Sequence, residues 1–513
     1  MEIMDALHWL INNHEAATRG ITPAIIPTVL IPLTAITVGL SSLAGFIAGL
    51  FGVKLNTEGP KQFLEVLLKK RVIFSMIIMN ILGMGLYKGY DYIKTMPSFL
   101  TTVKWYSSKN AISSNEAYPD EKMRVHDYTV SLSPAQNFDL TLLKEIKLPN
   151  GSFRSAASSG NSLFYGSDDG HIYEISHNDL QVKRKFYIGT SVTTRPVIFN
   201  HKIYAGEGNH LTHHARVYSF DLKTGKFIKA FSTKGHTEGQ QIITNVDHQD
   251  IMLASAGADG LYAINPNTMQ EIWHATDGHL DATPSIENNI VYIGTGVEKA
   301  KLADRSYAVA RDLKTSKLIW KSELPLSNWM HPIISKNDVC YNLGEIYTPS
   351  TVGLLYCLNK HNGEPHFSIP FNAPIASLPL FIATEKENLV FVATMSGEVC
   401  GINIDTKEKI WCKQTAKDIN KKSDLYALSS LTYDPQREIL WYPSPDNGIF
   451  GFSPISGNIV AKWTPAKNET PWGEHYAAVN VKGEKLYHID IAGHLRMIQL
   501  SPSKEHASAL AGQ

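Results

Sequence analysis

Cysteine is scarce in this chain of 513 residues, which holds only Cys340, Cys357, Cys400 and Cys412. None forms a CxxC or vicinal pair, which excludes a zinc ribbon and a thioredoxin-type redox centre. Charge of neither sign is in excess, because 48 Lys and Arg balance 48 Asp and Glu. A phosphate backbone finds no basic footprint, and nucleic acid is not expected as a partner. A glycine-rich nucleotide loop, a GxSxG elbow and an HExxH helix are all missing, so the common NTP-dependent and hydrolase classes lack their motifs. The first 20 residues carry Glu2, Asp5 and Glu15 against Arg19, without a basic n-region. A cleavable signal peptide is not expected.

Uncharged sequence, by contrast, is abundant after residue 20. No charged residue occurs from Ile21 to Val53, a run longer than the roughly 20 apolar residues that cross a bilayer. Prolines 23, 27 and 32 cluster at its start, where helix entry tolerates them. The segment 21–92 is read as a membrane anchor with transmembrane helices over about 27–50 and 72–90. The second apolar run, Val72 to Tyr87, is only sixteen residues long, so it either spans with help from snorkelling flanks or lies as a re-entrant or interfacial helix. The loop 54–71 between the runs holds Lys54, Lys61, Lys69, Lys70 and Arg71, and the positive-inside rule assigns it to the cytoplasm. Both termini then lie outside, which in a bacterial inner membrane means the periplasm. Residues 93–135 are polar and aperiodic and read as a linker between the anchor and a domain over 136–500, with 501–513 as a tail.

Within that domain one pattern recurs: an apolar-aromatic strand, an Asp or Asn opening a turn, Thr and Gly inside it, then a strand often ending in Trp. RVYSFDLKTGKFIK, GLYAINPNTMQEIW, AVARDLKTSKLIW and EVCGINIDTKEKIW are representative copies. Aligned positions fall at Tyr173, Tyr218, Tyr262, Val309, Tyr356, Cys400, Phe450 and Arg496, with intervals of 45, 44, 47, 47, 44, 50 and 46. A unit of that length with alternating strands is one four-stranded propeller blade, and eight copies make a closed ring. The expected fold is all-β, an eight-bladed β-propeller following an N-terminal transmembrane α-helical hairpin. The last copy lacks its outer strand, and Phe138 to Leu148 has the pattern of an outer strand without a blade. That early strand is expected to complete the eighth blade and remove two open edges. Trp273, Trp320, Trp411 and Phe367 are expected to pack between blades.

The run of YxxD or YxxN, then TG, then Trp resembles the tryptophan-docking repeat of the pyrroloquinoline-quinone-like propellers. That family includes quinoprotein dehydrogenases and the propeller lipoprotein of the outer-membrane barrel assembly machine. The resemblance covers about Phe138 to Leu500 and implies the fold, while the family's activities range from redox catalysis to scaffolding. The dehydrogenase branch holds its quinone against a disulfide between adjacent cysteines, with calcium. No adjacent pair exists here, so pyrroloquinoline quinone is not expected as a cofactor.

Blades 2 to 5 depart from the repeat in a shared way. Their inner strands open SVTTRP, HTEGQQ, HLDATP and SNWMHP, which aligns His236 with His279 and Glu238 with Asp281. Side chains two apart on a strand share a face, here the face toward the channel. The loops from second to third strand end at the same channel mouth and carry Glu207, His210, His213 and His214 in one blade and Asp259 in the next. Imidazole and carboxylate together suit a divalent transition metal, or acid and base work on a small ligand. The competing reading is a set of hydrogen-bonded structural pairs on a solvated channel wall. The four cysteines fall on neighbouring strands, Cys340 with Cys357 and Cys400 with Cys412, as two disulfides or as buried free thiols. The favoured function is a binding or scaffold module for an envelope protein or a small ligand outside a membrane. The rivals are a metal- or quinone-dependent oxidoreductase using the channel mouth and a structural subunit of an envelope complex.

Overall fold

The computed structural model of the protein describes residues 127–129, 132–133, 136–208, 214–297, 305–346, 352–416, 429–444, 448–465 and 477–503. The two apolar runs over 27–50 and 72–90 lie outside the described residues, and no helix among the described residues is long and apolar enough to cross a membrane.

The described strands form eight sheets. Blades 1 to 7 span 157–187, 197–232, 242–275, 285–324, 333–371, 380–414 and 432–463, and each pairs its four strands antiparallel in chain order. Blade 8 takes its three inner strands from 480–502 and its outer strand from Phe138–Lys147. Leu142 pairs with Ile498 and Lys144 with Met497, so the chain's earlier segment finishes its last sheet. All eight aligned repeat positions lie on the third strand of their blades.

Burial follows from this layering. Central strands such as Leu163 in Ser162–Gly166 and Trp441 in Ile439–Ser444 are buried on both faces and read as continuous apolar runs. Outer strands alternate, and Ile228, Leu318, Ile410 and Ile459 reach solvent there. The apolar clusters sit between consecutive blades. The pair 7 and 8 meets through Trp441, Trp463 and Ile498, and the pair 8 and 1 meets through Tyr165, Tyr487 and Met497. The last pair closes the ring.

Turn chemistry fixes the outer hairpins. Asp221 and Asp312 each accept from the backbone N–H and hydroxyl of a Thr three residues on, at 2.6–2.7 Å. The fifth residue of each turn takes the left-handed region: Gly225, Gly363 and Gly457, but also Met269, Ser316 and Lys407. Two of these glycines lie against a docked tryptophan. A Cβ on Gly363 would stand 2.5 Å from the Trp320 ring, and one on Gly457 would stand 2.4 Å from Trp411. The indole N–H groups of Trp273, Trp320 and Trp411 donate to the next blade's turn at the carbonyls of Leu313, Lys360 and Pro454, at 2.8–2.9 Å. These bonds, with the expected packing of Phe367 between blades 5 and 6, tie the ring together.

A strand also occurs inside the segment read as a linker. Asp127–Thr129 pairs in parallel with Leu380–Ala383, the innermost strand of blade 6. The chain therefore passes the channel side of blade 6 before it reaches the rim at blade 8.

The cysteines are joined as Cys340 with Cys357 and Cys400 with Cys412. Each pair lies directly opposite on the second and third strands of blade 5 or the third and fourth strands of blade 6. Both disulfides belong to the apolar core between those two blades.

Candidate functional site

The hexapeptides that open blades 2 to 5 run as lead-ins ahead of their first strands; isolated backbone bridges pin those of blades 2, 4 and 5, and in blade 3 the Thr237 N–H donates to the Glu207 carbonyl at 3.1 Å. Val192 bridges Gly208, Leu280 bridges Gly257, His279 bridges Gly296 and Asn328 bridges Leu343. In blade 4 the pinning is double: Gly257 and Leu280 exchange N–H···O bonds of 3.1 and 2.9 Å, and Gly296 donates to the His279 carbonyl at 2.9 Å. His279 and Asp281 thus stand on a fixed backbone, two residues apart on one face.

His236 comes from the lead-in of blade 3 and meets them there. Its Nε2 lies 2.8 Å from one Asp281 carboxylate oxygen, while His279 Nε2 lies 2.9 Å from the other. The two imidazole centroids are 5.3 Å apart. All three side chains are buried, at 3%, 9% and 6% exposure for His236, His279 and Asp281. The His236 ring rests against Gly257, where a Cβ would come within 2.6 Å of it. Gly257 has φ of +53°, so both its backbone conformation and its neighbour call for glycine.

Electrostatics favour an ionised carboxylate here. Burial acts to raise the Asp281 carboxyl, but the hydrogen bonds from His236 and His279 and the fields of their rings outweigh it and hold the group well below the usual carboxylate range. Arg154 faces the same cluster: burial lowers its affinity for the proton, and the charges of Glu238 and Asp281 oppose that shift. Arg154 lies in the lead-in to blade 1. It was missed in the sequence because it belongs to no His-x-acid copy, although SFRSAA occupies the same place ahead of its blade as SVTTRP does.

The other expected residues divide among different roles. Glu238 is half-buried two residues beyond His236, but His236 takes its acid partner from the next blade. Glu207 accepts from the Tyr218 hydroxyl at 2.9 Å, and Asp259 accepts from the Tyr262 hydroxyl at 2.6 Å and the Lys234 N–H at 2.8 Å. These belong to a device that recurs in the blades: an acid before the third strand bonds the repeat position on that strand. Asp169 with Tyr173 is the blade 1 version, and in blade 8 Asp490 bonds Arg496 at 3.1 Å. The acid raises the Tyr262 and Tyr218 hydroxyls well above the tyrosine range, after burial as the larger cause. His214 is exposed with φ of +66° and stands apart from the cluster. His210 and His213 lie outside the described residues. Among the described residues of the expected site, His236, His279 and Asp281 are those whose ligand atoms all fall within 4.8 Å of one another.

Residues 304–470 match the family described as outer membrane protein assembly factor BamB. No curated protein matches the sequence. Among solved structures, BamB from Moraxella catarrhalis aligns with 70% of this chain and 99% of its own, at 14% identity and a TM-score of 0.50. The quinohemoprotein alcohol dehydrogenase from Comamonas testosteroni aligns with 70% of this chain and 76% of its own, at 11% identity and a TM-score of 0.52. At such identities the structural likeness speaks to fold alone.

Proposed function

We propose that this eight-bladed propeller, whose residues 304–470 match the assembly-factor family, is a binding scaffold whose faces recruit a protein partner within a bacterial envelope complex. In this reading the runs over 27–50 and 72–90 anchor it in the inner membrane, the loop 54–71 faces the cytoplasm and the propeller works in the periplasm. The observation that carries it is where the cysteines go. Both disulfides are spent in the core between blades 5 and 6, inside the stretch that matches the assembly factor. They are not adjacent and do not face the axis, as the quinone-supporting pair of the dehydrogenase branch does. Disulfides also suit an oxidising compartment.

The test is purification of the full chain from membranes in mild detergent. The expected result is an inner-membrane protein with thiols that alkylate only after reduction, co-eluting with an envelope protein in fixed ratio. A chain that fractionates away from membranes and runs alone would refute the reading. A second reading, an oxidoreductase at the channel mouth, draws support from the buried His236–Asp281–His279 cluster. Its signature would be oxidation of an added alcohol or sugar coupled to reduction of an artificial electron acceptor, by purified protein supplied with quinone and a divalent metal.

A further inference from the structure

We propose that His236, His279 and Asp281 bind one divalent transition-metal ion of the zinc, cobalt or nickel type at the channel mouth. The inference goes beyond the scaffold reading and stands on the side-chain geometry alone.

Two imidazoles and one carboxylate come together from two blades, with one ligand atom from each within 4.8 Å of the others. A bound ion at about 2.0–2.1 Å from each ligand atom sets neighbouring ligand atoms roughly 2.8–3.0 Å apart in octahedral geometry and roughly 3.3–3.4 Å apart in tetrahedral geometry. The present separations of 2.8 and 2.9 Å, from the two Nε2 atoms to the two different Asp281 oxygens, are close to the shorter of these spacings, and an ion would enter by replacing both hydrogen bonds. The rings already present the atom that would ligate. Coordination through Nε2 places each remaining proton on Nδ1, a change of tautomer without movement of the ring.

The surroundings hold these ligands still. The Leu280 and His279 backbone is bridged to Gly257 and Gly296, and Gly257 lets the His236 ring lie against the main chain. Metal sites work when such supporting contacts fix ring orientation. The charge also suits a cation: with neutral imidazoles, Asp281 and Glu238 against Arg154 leave one net negative charge. Nitrogen and a single carboxylate select borderline transition ions over calcium or magnesium, which take oxygen shells. Three protein ligands leave further positions for water or a small ligand, the arrangement of an open site rather than a closed structural one.

The probe is Co²⁺ added to the chelator-stripped full chain, followed by visible d–d absorption and by native mass spectrometry. One Co²⁺ per chain is expected, displaced by one equivalent of Zn²⁺. His279→Ala and Asp281→Asn are expected to weaken uptake by at least about 100-fold, at or beyond the upper end of what loss of a supporting contact alone costs. His361→Ala, at an exposed turn, should leave it unchanged. Should either variant misfold by circular dichroism, Gly257→Ala, which pushes the His236 ring, must still alter the Co²⁺ spectrum of the folded protein. Absence of stoichiometric Co²⁺ in the wild type, or equal binding in His279→Ala, would overturn the site. Either result would leave partner co-elution untouched, so the two readings fail separately.

Discussion

Arg496 is the one repeat position filled by a charge, and replacing it tests how the ring is closed. The side chain is 1% exposed and pairs with Asp490 of its own blade at 3.1 Å and with Glu145 of the completing strand at 2.8 Å. Arg496→Met would leave the buried Asp490 with only the His494 backbone and ring contacts, at 2.9 and 3.0 Å. Removing one partner of such a pair costs about 3–5 kcal/mol. With an unfolding entropy of roughly 2.1 cal/mol/K per residue, a propeller of about 360 residues should melt about 4–7 °C lower. Arg496→Tyr should cost less, because blades 1 to 3 use tyrosine there to donate to the same kind of acid. Burial raises the Asp490 carboxyl, but the His494 N–H and Arg496 together hold it below its ordinary value. A depressed carboxyl stabilises the fold above its unfolded pKa and loses that contribution as pH falls through the folded one. The deficit of Arg496→Met should therefore be largest near pH 7 and narrow below about pH 4. Differential scanning calorimetry of the three proteins at both pH values decides it. Equal melting of Met and Tyr variants, or a deficit that grows in acid, would refute the account.

Three further outcomes follow from contacts between blades. Burial, helped by the charges of Lys482, Lys183 and Lys485, lowers His177 to about 3, and burial with Arg496 nearby does the same for His488. Their stabilising contribution is complete above about pH 6.5 and is lost as the pH drops toward 3, at up to about 1.4 kcal/mol per pH unit for each. His177→Asn should flatten the acid limb of a melting-temperature profile, and an unchanged slope would argue against a neutral buried ring. Trp320→Phe removes the indole bond to Lys360 and should cost about 1 kcal/mol, against about 3–5 kcal/mol for Trp320→Ala. Gly363→Ala should cost measurably less in the Trp320→Ala background, since its clash is with that ring; additive melting shifts would contradict the docking geometry.

The repeat was legible because each blade solves the same local problem with the same residues. The Asp221 and Asp312 turns, the tryptophans that dock on the next turn, and the orphan strand at Phe138 all announce themselves by spacing. What spacing does not encode is which neighbour a side chain chooses. Glu207 and Asp259 share the loops that open on the channel mouth, yet each bends back to a tyrosine of its own blade. His236 passes over Glu238, two residues away, for Asp281 one blade on. That choice depends on blade rotation and on the left-handed Gly257, neither of which has a period. The strand at Asp127–Thr129 was hidden for another reason: three residues pairing in parallel at an inner edge leave no alternation to detect.

The strand that completes blade 8 is made about 350 residues before the edge it joins. At roughly 5–20 residues per second, Leu140 and Leu142 wait on the order of 20–70 s before His494–Pro502 emerges to receive them. Throughout that interval the nascent chain carries an unsatisfied β-edge at its front and an unfinished sheet at its back. A holding chaperone that binds short apolar strands would be needed most at this early segment, and a chain released before Pro502 would keep a sticky end open to its neighbours.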